Sequence, residues 1–487
     1  MVQRTGDGKD MLDMLPKLET PKEPSTWSKL PWKRFEKRVE TIRVKIFCAI
    51  RDNNLERVRK FHRLALNSIS FKALAIRNVT QRNTGKYTPG VDNIIYSTDE
   101  ERMKALNNKE INPLRKDYTP KPVKRIYIPK NPHEKRPLGI PCMDDRILQE
   151  WVRLALEPEW ERKFSPFSYG FRSGRSCHDA IAITQDLFNE GYRFIINADL
   201  SGCFDHINHD MILSQLHGPI QSLVRKWLKA GIEDMGVFTR PTMGTPQGGV
   251  ISPLLMNLAM NLLDKRLNVP SVRVIRYADD FLILCKTETL KMRALKAVIT
   301  TLKSIGPTLN LKKTKLVNPR EGTKFLGFEL RQVGQRLRVQ PDRSRLKEFM
   351  HELKAVLMNN KQVKTKVIIT ALNQRIRGWM FYYRFCRVHP FLQKMNMQLF
   401  TWVWKWCRRR HPKKSKRWIY KRYFSDESGT RRLSAEGHVL MKFHDVPCLN
   451  YNWRVKDMTP LNPMKEVQDA FMRKRDGAYY SLQAICC

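Results

Sequence analysis

The sequence predicts an α+β fold, on three observations. Runs with apolar residues at helical spacing occupy both ends of the chain, from "WKRFEKRVETIRVKIFCAIRDNNLERVRKFHRLAL" to the stretches 342–359 and 362–385. Short strand-like runs lie between them, among them "YRFIINADL" at 192–200. Residues 272–285, "VRVIRYADDFLILC", read as two strands joined by a tight turn.

The elements follow in order. Residues 1 to about 30 are polar, hold three prolines and read as a loose arm. The next run reads as a helical hairpin with a basic outer face. "NTGKYTPGVDN" (83–93) is a turn cluster. "KRIYIPK" and "RPLGIP" alternate as strands about the break "NPHEK". "DRILQEWVRLALEPEWERKF" is helical, and "YRFIINADL" is a buried strand that ends in an acid. "HDMILSQL" and "QSLVRKWLKAGI" are helical, and "SPLLMNLAMNLLDKRL" is a helix after a glycine-rich loop. Residues 289–305 are helical and "FLGFEL" is a short strand. No internal repeat is visible.

Charge narrows the partners. Ninety Lys and Arg against 47 Asp and Glu leave +43 over 487 residues. A field of that size repels itself unless a polyanion neutralises it, and nucleic acid is the simplest candidate. No apolar run has the length of a spanning helix, so no membrane partner is expected. The ten cysteines form no CxxC pair, which fits free thiols in a reducing compartment rather than a zinc ribbon. The first residues lack the apolar core of a secretory signal. Residues 402–424 hold ten Lys or Arg, no Asp or Glu, and seven aromatics. Cations interleaved with flat rings suit phosphate contact plus base stacking, with Arg408, Arg409, Arg410, Lys413 and Lys414 as candidates.

The adjacent acids of "YADD" raise the chemical question. A hairpin puts Asp279 and Asp280 at its tip, where like charges repel and unpaired burial costs several kcal/mol. A divalent cation removes that penalty, and Mg²⁺ accepts few protein oxygens because it keeps waters and substrate phosphates. Asp199, at the end of "YRFIINAD", offers a third carboxylate. Two Mg²⁺ ions held between neighbouring strands suit phosphoryl transfer, one at the attacking hydroxyl and one at the leaving pyrophosphate. The ordinary alternative for a DD pair is an exposed turn.

"YADD" (277–280), "ADLSGCFDHINH" (198–209), "GTPQGGVISPLLMN" (244–257), "RPLGIP" (136–141), "SYGFRSGRSCHDA" (168–180) and "FLGF" (325–328) stand in the order of reverse-transcriptase blocks. The set resembles the multifunctional proteins encoded by group II introns. "TPGVDN" upstream and "LNQRIRGWMFYYRF" (372–385) downstream resemble that family's N-terminal extension and maturase thumb. The likeness runs from about residue 30 to 430.

The resemblance implies a right-hand polymerase: fingers, a palm with an antiparallel sheet, a helical thumb, a helical N-terminal extension and a basic C-terminal region. It implies an arm and RNA-binding extension over 1–95, fingers and palm over 96–335, a maturase thumb over 336–425, and a DNA-binding region over 426–487. Asp199, Asp279 and Asp280 are then the catalytic carboxylates. Asp199 and Asp279 hold the metals, the Leu200 carbonyl adds a ligand, and Asp280 supports.

By the same resemblance Phe204 is expected to be the bulky ring beneath the incoming sugar, where a 2′-hydroxyl would collide; a core Phe is the ordinary alternative. Gln247 touches the nucleotide, and Gly248 beside Gly249 allows close backbone approach. Lys130 and Arg136 flank the "NPHEK" turn, placed to hold a triphosphate by charge-assisted hydrogen bonds, with two ordinary surface cations as the alternative. Phe325, Leu326 and Gly327 resemble the primer grip. Arg375, Arg377 and Trp379 in the thumb are expected to contact RNA. The His206/His209 pair is expected to cap and pack rather than ligate a metal.

The expected partners are the protein's own intron RNA in a ribonucleoprotein, target DNA and dNTPs, in a bacterial cytoplasm or nucleoid, with an organelle as the alternative; no oligomeric state is implied. Many relatives end in a Cys-rich HNH nuclease. Here the chain ends "YYSLQAICC" without paired CxxC motifs, so that nuclease is expected to be missing. Mobility would then need a primer from elsewhere, such as a nascent strand at a replication fork. Competing classes are a silent splicing cofactor, which should have lost the triad or "QGG", and a retron or defence reverse transcriptase, which should lack the long extension and the "RIRGWMFYYRF" thumb.

Overall fold

The computed structural model describes residues 26–129, 134–424 and 432–449. The expected helical hairpin is α1 (Trp32–Arg51) and α2 (Leu55–Leu66), and α3 (Ile69–Arg77) continues it. In α1 the buried residues Phe35, Val39, Ile42 and Ile46 recur every three or four positions, so one stripe is apolar and the rest is free for charge. Asn54 caps α2 by accepting from Arg57 N at 3.0 Å. The turn cluster leads into α4 (Asp99–Asn107), closed at its start by a Thr98–Glu101 capping box.

Strands β1 (Val123–Pro129) and β2 (Lys135–Ile140) form the expected antiparallel pair, in register from Lys124↔Ile140 to Pro129↔Lys135. Helix α5 (Met143–Lys163) is the spine of this half. Trp151 Nε1 donates to the Ala65 carbonyl at 2.9 Å, and Arg43 reaches Glu157 at 2.6 Å, so the N-terminal helices are locked to it.

Helix α6 (Cys177–Asn189) precedes β3 (Phe194–Ala198) and the two-residue β4 (Leu200–Ser201). Short helices α7 (Cys203–His206) and α8 (His209–Leu213) and the longer α9 (Gly218–Leu228) follow. The hairpin β5 (Ile232–Asp234) and β6 (Val237–Thr239) joins the first strand pair, β5 lying parallel to β1, in a sheet of order β2-β1-β5-β6.

Helix α10 (Ser252–Leu267) leads to the expected strand pair, β7 (Val272–Tyr277) and β8 (Asp280–Cys285), then to α11 (Glu288–Ile305), β9 (Thr308–Leu309) and β10 (Lys315–Val317). The central sheet has the order β10-β3-β8-β7 with every pair antiparallel. Both of its faces are covered. Phe281, Ile283 and Cys285 enter the core shared with α10 and α11, while Leu282 and Leu284 enter a second core shared with the C-terminal helices. Strand alternation thus explains why "FLILC" is apolar throughout.

"FLGFEL" is not one strand. It is split between β11 (Thr323–Phe325) and β12 (Phe328–Val333), because Leu326 (φ +49°) and Gly327 (φ +76°) both adopt left-handed backbone. Two such residues between paired strands make a type I′ hairpin. Strand β13 (Arg336–Pro341), which the sequence reading lacked, completes that sheet. Helices α12 (Arg343–Asn359) and α13 (Thr365–Tyr383) match expectation, and the basic 402–424 stretch falls on α14 (His389–Arg410) and α15 (Lys416–Phe424). A small hairpin, β14 (Ser434–Ala435) and β15 (His438–Val439), folds back on α13, where Asn373 Nδ2 donates to the Val439 carbonyl at 2.8 Å. Leu433, Leu440 and Phe443 thereby enter the second core. The rest of the stretch expected to bind DNA lies outside the described residues, as does most of the N-terminal arm.

Candidate active site

The three acids come from two adjacent strand ends. Strands β3 and β8 pair as far as Ala198 with Phe281, the residues that adjoin Asp199 and Asp280, and the Asp199 charge acts on Asp280. Asp279 lies in the turn between β7 and β8, just after Ala278, whose φ is +59°. Asp279 and Asp280 are exposed and Asp199 is half-buried.

Asp280 opens to solvent on one side, yet the strand ends around its carboxyl desolvate it. That burial first, and then the charges of Asp279 and Asp199, push it up to about 6, with Lys313 pulling the other way. The oxygen Oδ2 of Asp199 is enclosed and has no hydrogen-bond partner. Lys313 Nζ stands 3.6 Å from it, on a side chain that is itself 61% exposed. An enclosed carboxylate oxygen beside two further acids suits a hard cation. The carboxylates are neighbours but not yet a ligating array: among the described residues no three His, Cys, Asp or Glu side chains already stand close enough to hold a metal ion. Leu200 is buried in β4, paired with Leu309.

The turn that carries Asp279 is braced from below. Arg276 is fully buried and donates to both oxygens of Asp264, at 2.9 and 2.6 Å, to Asn257 Oδ1 at 2.7 Å and to Ser168 Oγ at 2.8 Å. Its Nη1 also donates to the Ala278 carbonyl at 3.0 Å. The "SYGFR" segment runs beside β7: Tyr169 N donates to the Arg276 carbonyl at 2.8 Å, and Arg276 N donates to the Phe167 carbonyl at 3.0 Å. A Cβ on Gly170 would lie 2.3 Å from Ala278 N, so only glycine allows this approach. Sequence reading missed Arg276, Asp264 and Ser168. A charged residue inside an apolar strand was the available signal, since such a residue must be paired.

The "GTPQGG" loop crosses the same region. Thr245 N donates to the Phe204 carbonyl at 2.7 Å, and Gly139 N donates to the Gln247 carbonyl at 2.6 Å. Gly248 (φ +119°) has no room for a side chain, because a Cβ would lie 2.6 Å from the Gly139 carbonyl oxygen. Half-buried Phe204 sits on α7 and meets the ring of Phe171 edge-on, with centroids 6.4 Å apart. His206 Nδ1 pairs with the Gly202 carbonyl at 2.9 Å on an exposed ring and His209 Nε2 with the Gly244 carbonyl at 2.8 Å on a buried one, so both rings bond backbone but neither caps a helix. Arg136 is exposed on β2, opposite Ile128; Lys130 lies outside the described residues.

The Phe325–Phe328 turn is tied to both neighbours. Asn197 Nδ2, two residues before Asp199, donates to Thr323 Oγ1 and to the Lys324 carbonyl, each at 2.8 Å. From α13, Tyr382 and Tyr383 donate their hydroxyls to the Leu326 and Gly327 carbonyls at 2.8 and 3.0 Å. These two tyrosines were also missed, although "FYYRF" contains them.

Further out, Arg375, Arg377, Arg408 and Arg409 are exposed, as are Lys413 and Lys414. Arg410 is half-buried and donates to the Val363 carbonyl at 2.6 Å. Trp379 lies among rings, stacked on Phe349 at 5.1 Å and tilted on Tyr383 at 4.6 Å. Among the described residues no helix is long and apolar enough to cross a membrane.

Three family models match the chain. The reverse transcriptase (RNA-dependent DNA polymerase) model covers residues 128–330, the N-terminal domain of reverse transcriptase covers 27–108, and the group II intron maturase-specific domain covers 346–424. Protein YkfC of Escherichia coli K12 is 33% identical over 301 residues, spanning 52% of this chain and 78% of that protein. The group II intron-encoded protein LtrA of Lactococcus lactis subsp. cremoris is 39% identical over 191 residues, 38% of this chain and 31% of LtrA. A putative COX1/OXI3 intron 1 protein of Saccharomyces cerevisiae is 33% identical over 210 residues, 41% of this chain and 24% of that protein. The matches to these two intron proteins therefore span less than a third of their lengths. Among solved structures, telomerase from Candida albicans in complex with a fragment of telomeric RNA aligns with 64% of this chain and 63% of its own, at 13% identity and a TM-score of only 0.38. With all three models in order along one chain and YkfC matched over most of its length, this protein belongs to the family of group II intron-encoded reverse transcriptases and maturases.

Proposed function

We propose that the chain extends a DNA primer on an RNA template by two-metal nucleotidyl transfer at Asp199, Asp279 and Asp280. The observation that carries this reading is the enclosed Oδ2 of Asp199, which has no hydrogen-bond partner and only the exposed Lys313 ammonium at 3.6 Å, beside Asp280, whose carboxyl is raised by burial and then by its two acidic neighbours. Bound Mg²⁺ would supply the Lewis acidity for the attacking 3′-hydroxyl and the charge balance for the departing pyrophosphate.

In this reading Asp199 and Asp279 hold the ions, with the Leu200 carbonyl as a further ligand, and Asp280 adds charge behind them. Lys130 and Arg136 hold the triphosphate. Gln247 and Gly248 line the nucleotide, Phe204 excludes a 2′-hydroxyl, and the Phe325–Gly327 turn holds the primer end. The same protein binds its own intron RNA through the N-terminal helices and the basic thumb, assists its splicing, and copies it after insertion into target DNA. Folded RNA of this kind is gripped through backbone and shape, with loop bases stacked on rings.

Primer extension with an RNA template, dNTPs and Mg²⁺ tests the chemistry. Asp279→Ala should abolish extension and leave RNA binding intact; extension that survives would move the site elsewhere. Sequencing the RNA that copurifies tests the partner, with an excised intron lariat as the expected product.

A further inference from the structure

Phe171 is an unusual residue to find beside a reaction centre. It is 55% exposed, so its ring gains little from burial. Its φ of +58° lies in the left-handed region, where a side chain with a Cβ is strained. Such a residue persists only when its neighbours over-determine it, and strain of this kind collects at functional sites.

The neighbours do so here. Gly170 is wedged against Ala278 and Tyr277, and its carbonyl accepts from Asn257 Nδ2 at 2.8 Å. Arg172 is buried and grips Glu161 at 2.5 and 2.9 Å and the carbonyls of Ser165 and Ser168 at 2.6 and 2.7 Å. Fixed on both sides, Phe171 has one aromatic partner among the described residues, the ring of Phe204, at 76° between planes. Phe204 itself stands on a helix of only four residues.

We propose that Phe171 is a positioning residue that holds the Phe204 ring in place and so sets how strictly the site rejects ribonucleotides. This rests on the reading of Phe204 as the ring beneath the incoming sugar. A ring discriminates against one extra hydroxyl only if it cannot tilt away, and the edge-on contact from Phe171 closes one direction of tilt.

The test is single-nucleotide incorporation of dNTP against rNTP with the full chain. Two variants remove the ring: Phe171→Ala, and Phe171→Gly, which suits the left-handed backbone and guards against misfolding. Both should relax the rNTP/dNTP ratio of kcat/KM by about three- to tenfold, the usual range for loss of one edge-on ring contact. The change should fall mainly on KM for the ribonucleotide, and Phe171→Tyr should restore the parent ratio. In the double variant with Phe204→Ala, loss of Phe171 should add nothing. Unchanged discrimination in both single variants, or independent effects in the double, would overturn the proposal while Phe204→Ala still relaxes selection. If Phe204→Ala itself leaves selection unchanged, the sugar-gate reading fails first and this inference goes with it.

Discussion

Arg276 Nη1 donates a 3.0 Å hydrogen bond to the carbonyl of Ala278, the left-handed residue that turns the chain into Asp279. The same guanidinium is neutralised by Asp264 and has no exposed surface. The turn that presents the acids is thus held by a charge that cannot be solvated elsewhere. Arg276→Gln should leave Asp264 buried and unpaired, at about 3–5 kcal/mol. Asp264→Asn keeps an acceptor but leaves the Arg276 guanidinium buried without its counter-charge, so it should cost a similar amount. Urea denaturation gives the two costs, and primer extension should fall in both variants.

Gly170→Ala addresses the other side of that turn. A Cβ there sits 2.3 Å from Ala278 N and 2.9 Å from the Tyr277 carbonyl carbon, both backbone, so the turn itself must move. Overpacking of this kind costs about 1–3 kcal/mol, which a protein of this size survives. Extension rate should therefore fall far more than the melting temperature, with KM for dNTP less affected than kcat. A variant as active as the parent would mean that the turn tolerates displacement.

Asp280 gives a pH signature. Its pKa is raised in the folded protein to about 6, so ionisation above that pH opposes folding, and the penalty disappears as pH falls and the carboxyl takes up its proton. Asp280→Asn removes the penalty. In EDTA the variant should melt higher than the parent at pH 8, and the gap should shrink through pH 6 and close near pH 4. A gap that stays constant across that range would show that the carboxyl is not held up by its neighbours.

How much of this could be read from the chain divides by the range of the interaction. The β7–β8 pair, the acids at its turn and the helices 343–359 and 365–383 follow from local period and turn chemistry, and the structure has them within a few residues of expectation. The "QGG" glycines were legible because close backbone approach needs glycine, and Gly248 meets the Gly139 carbonyl. What failed depends on contacts distant in sequence. Nothing local marks Leu326 as left-handed, since the hydroxyls that fix its turn come from Tyr382 and Tyr383. A cation inside an apolar strand marks Arg276 as paired, but its partners Asp264, Asn257 and Ser168 come together on it only in the fold. Phe171 has no sequence signal at all, because its strain is set by Gly170 and Arg172 packing elsewhere.

The two tyrosine hydroxyls on the Leu326–Gly327 turn join α13 to the candidate primer grip. Tyr382→Phe and Tyr383→Phe each leave a carbonyl short of a donor, at about 0.5–1.5 kcal/mol. The paired variant should raise KM for the primer several-fold more than it lowers kcat, because the turn remains but its angle to the thumb is freed. Steady-state extension at varied primer concentration reads the split. Equal loss in both terms would instead point to a disturbed Asp199, through Asn197 and the same hairpin.

The basic thumb should divide into cations that meet RNA and cations that hold the fold. Arg408, Lys413 and Lys414 are exposed and free to release counterions on binding phosphates. Substituting all three with Ala should reduce the slope of log affinity against log salt by about 2–3, with little change in melting. Arg410 is different: it donates to the Val363 carbonyl at 2.6 Å and lies 4.7 Å over the Trp406 ring, tying the end of α14 to the α12–α13 connection. Arg410→Ala should therefore lower the melting temperature and leave the salt slope almost unchanged. Filter binding of RNA across 50–400 mM salt, beside thermal melts of the same variants, separates the two roles; an equal drop in slope from Arg410→Ala would place that guanidinium on the RNA instead.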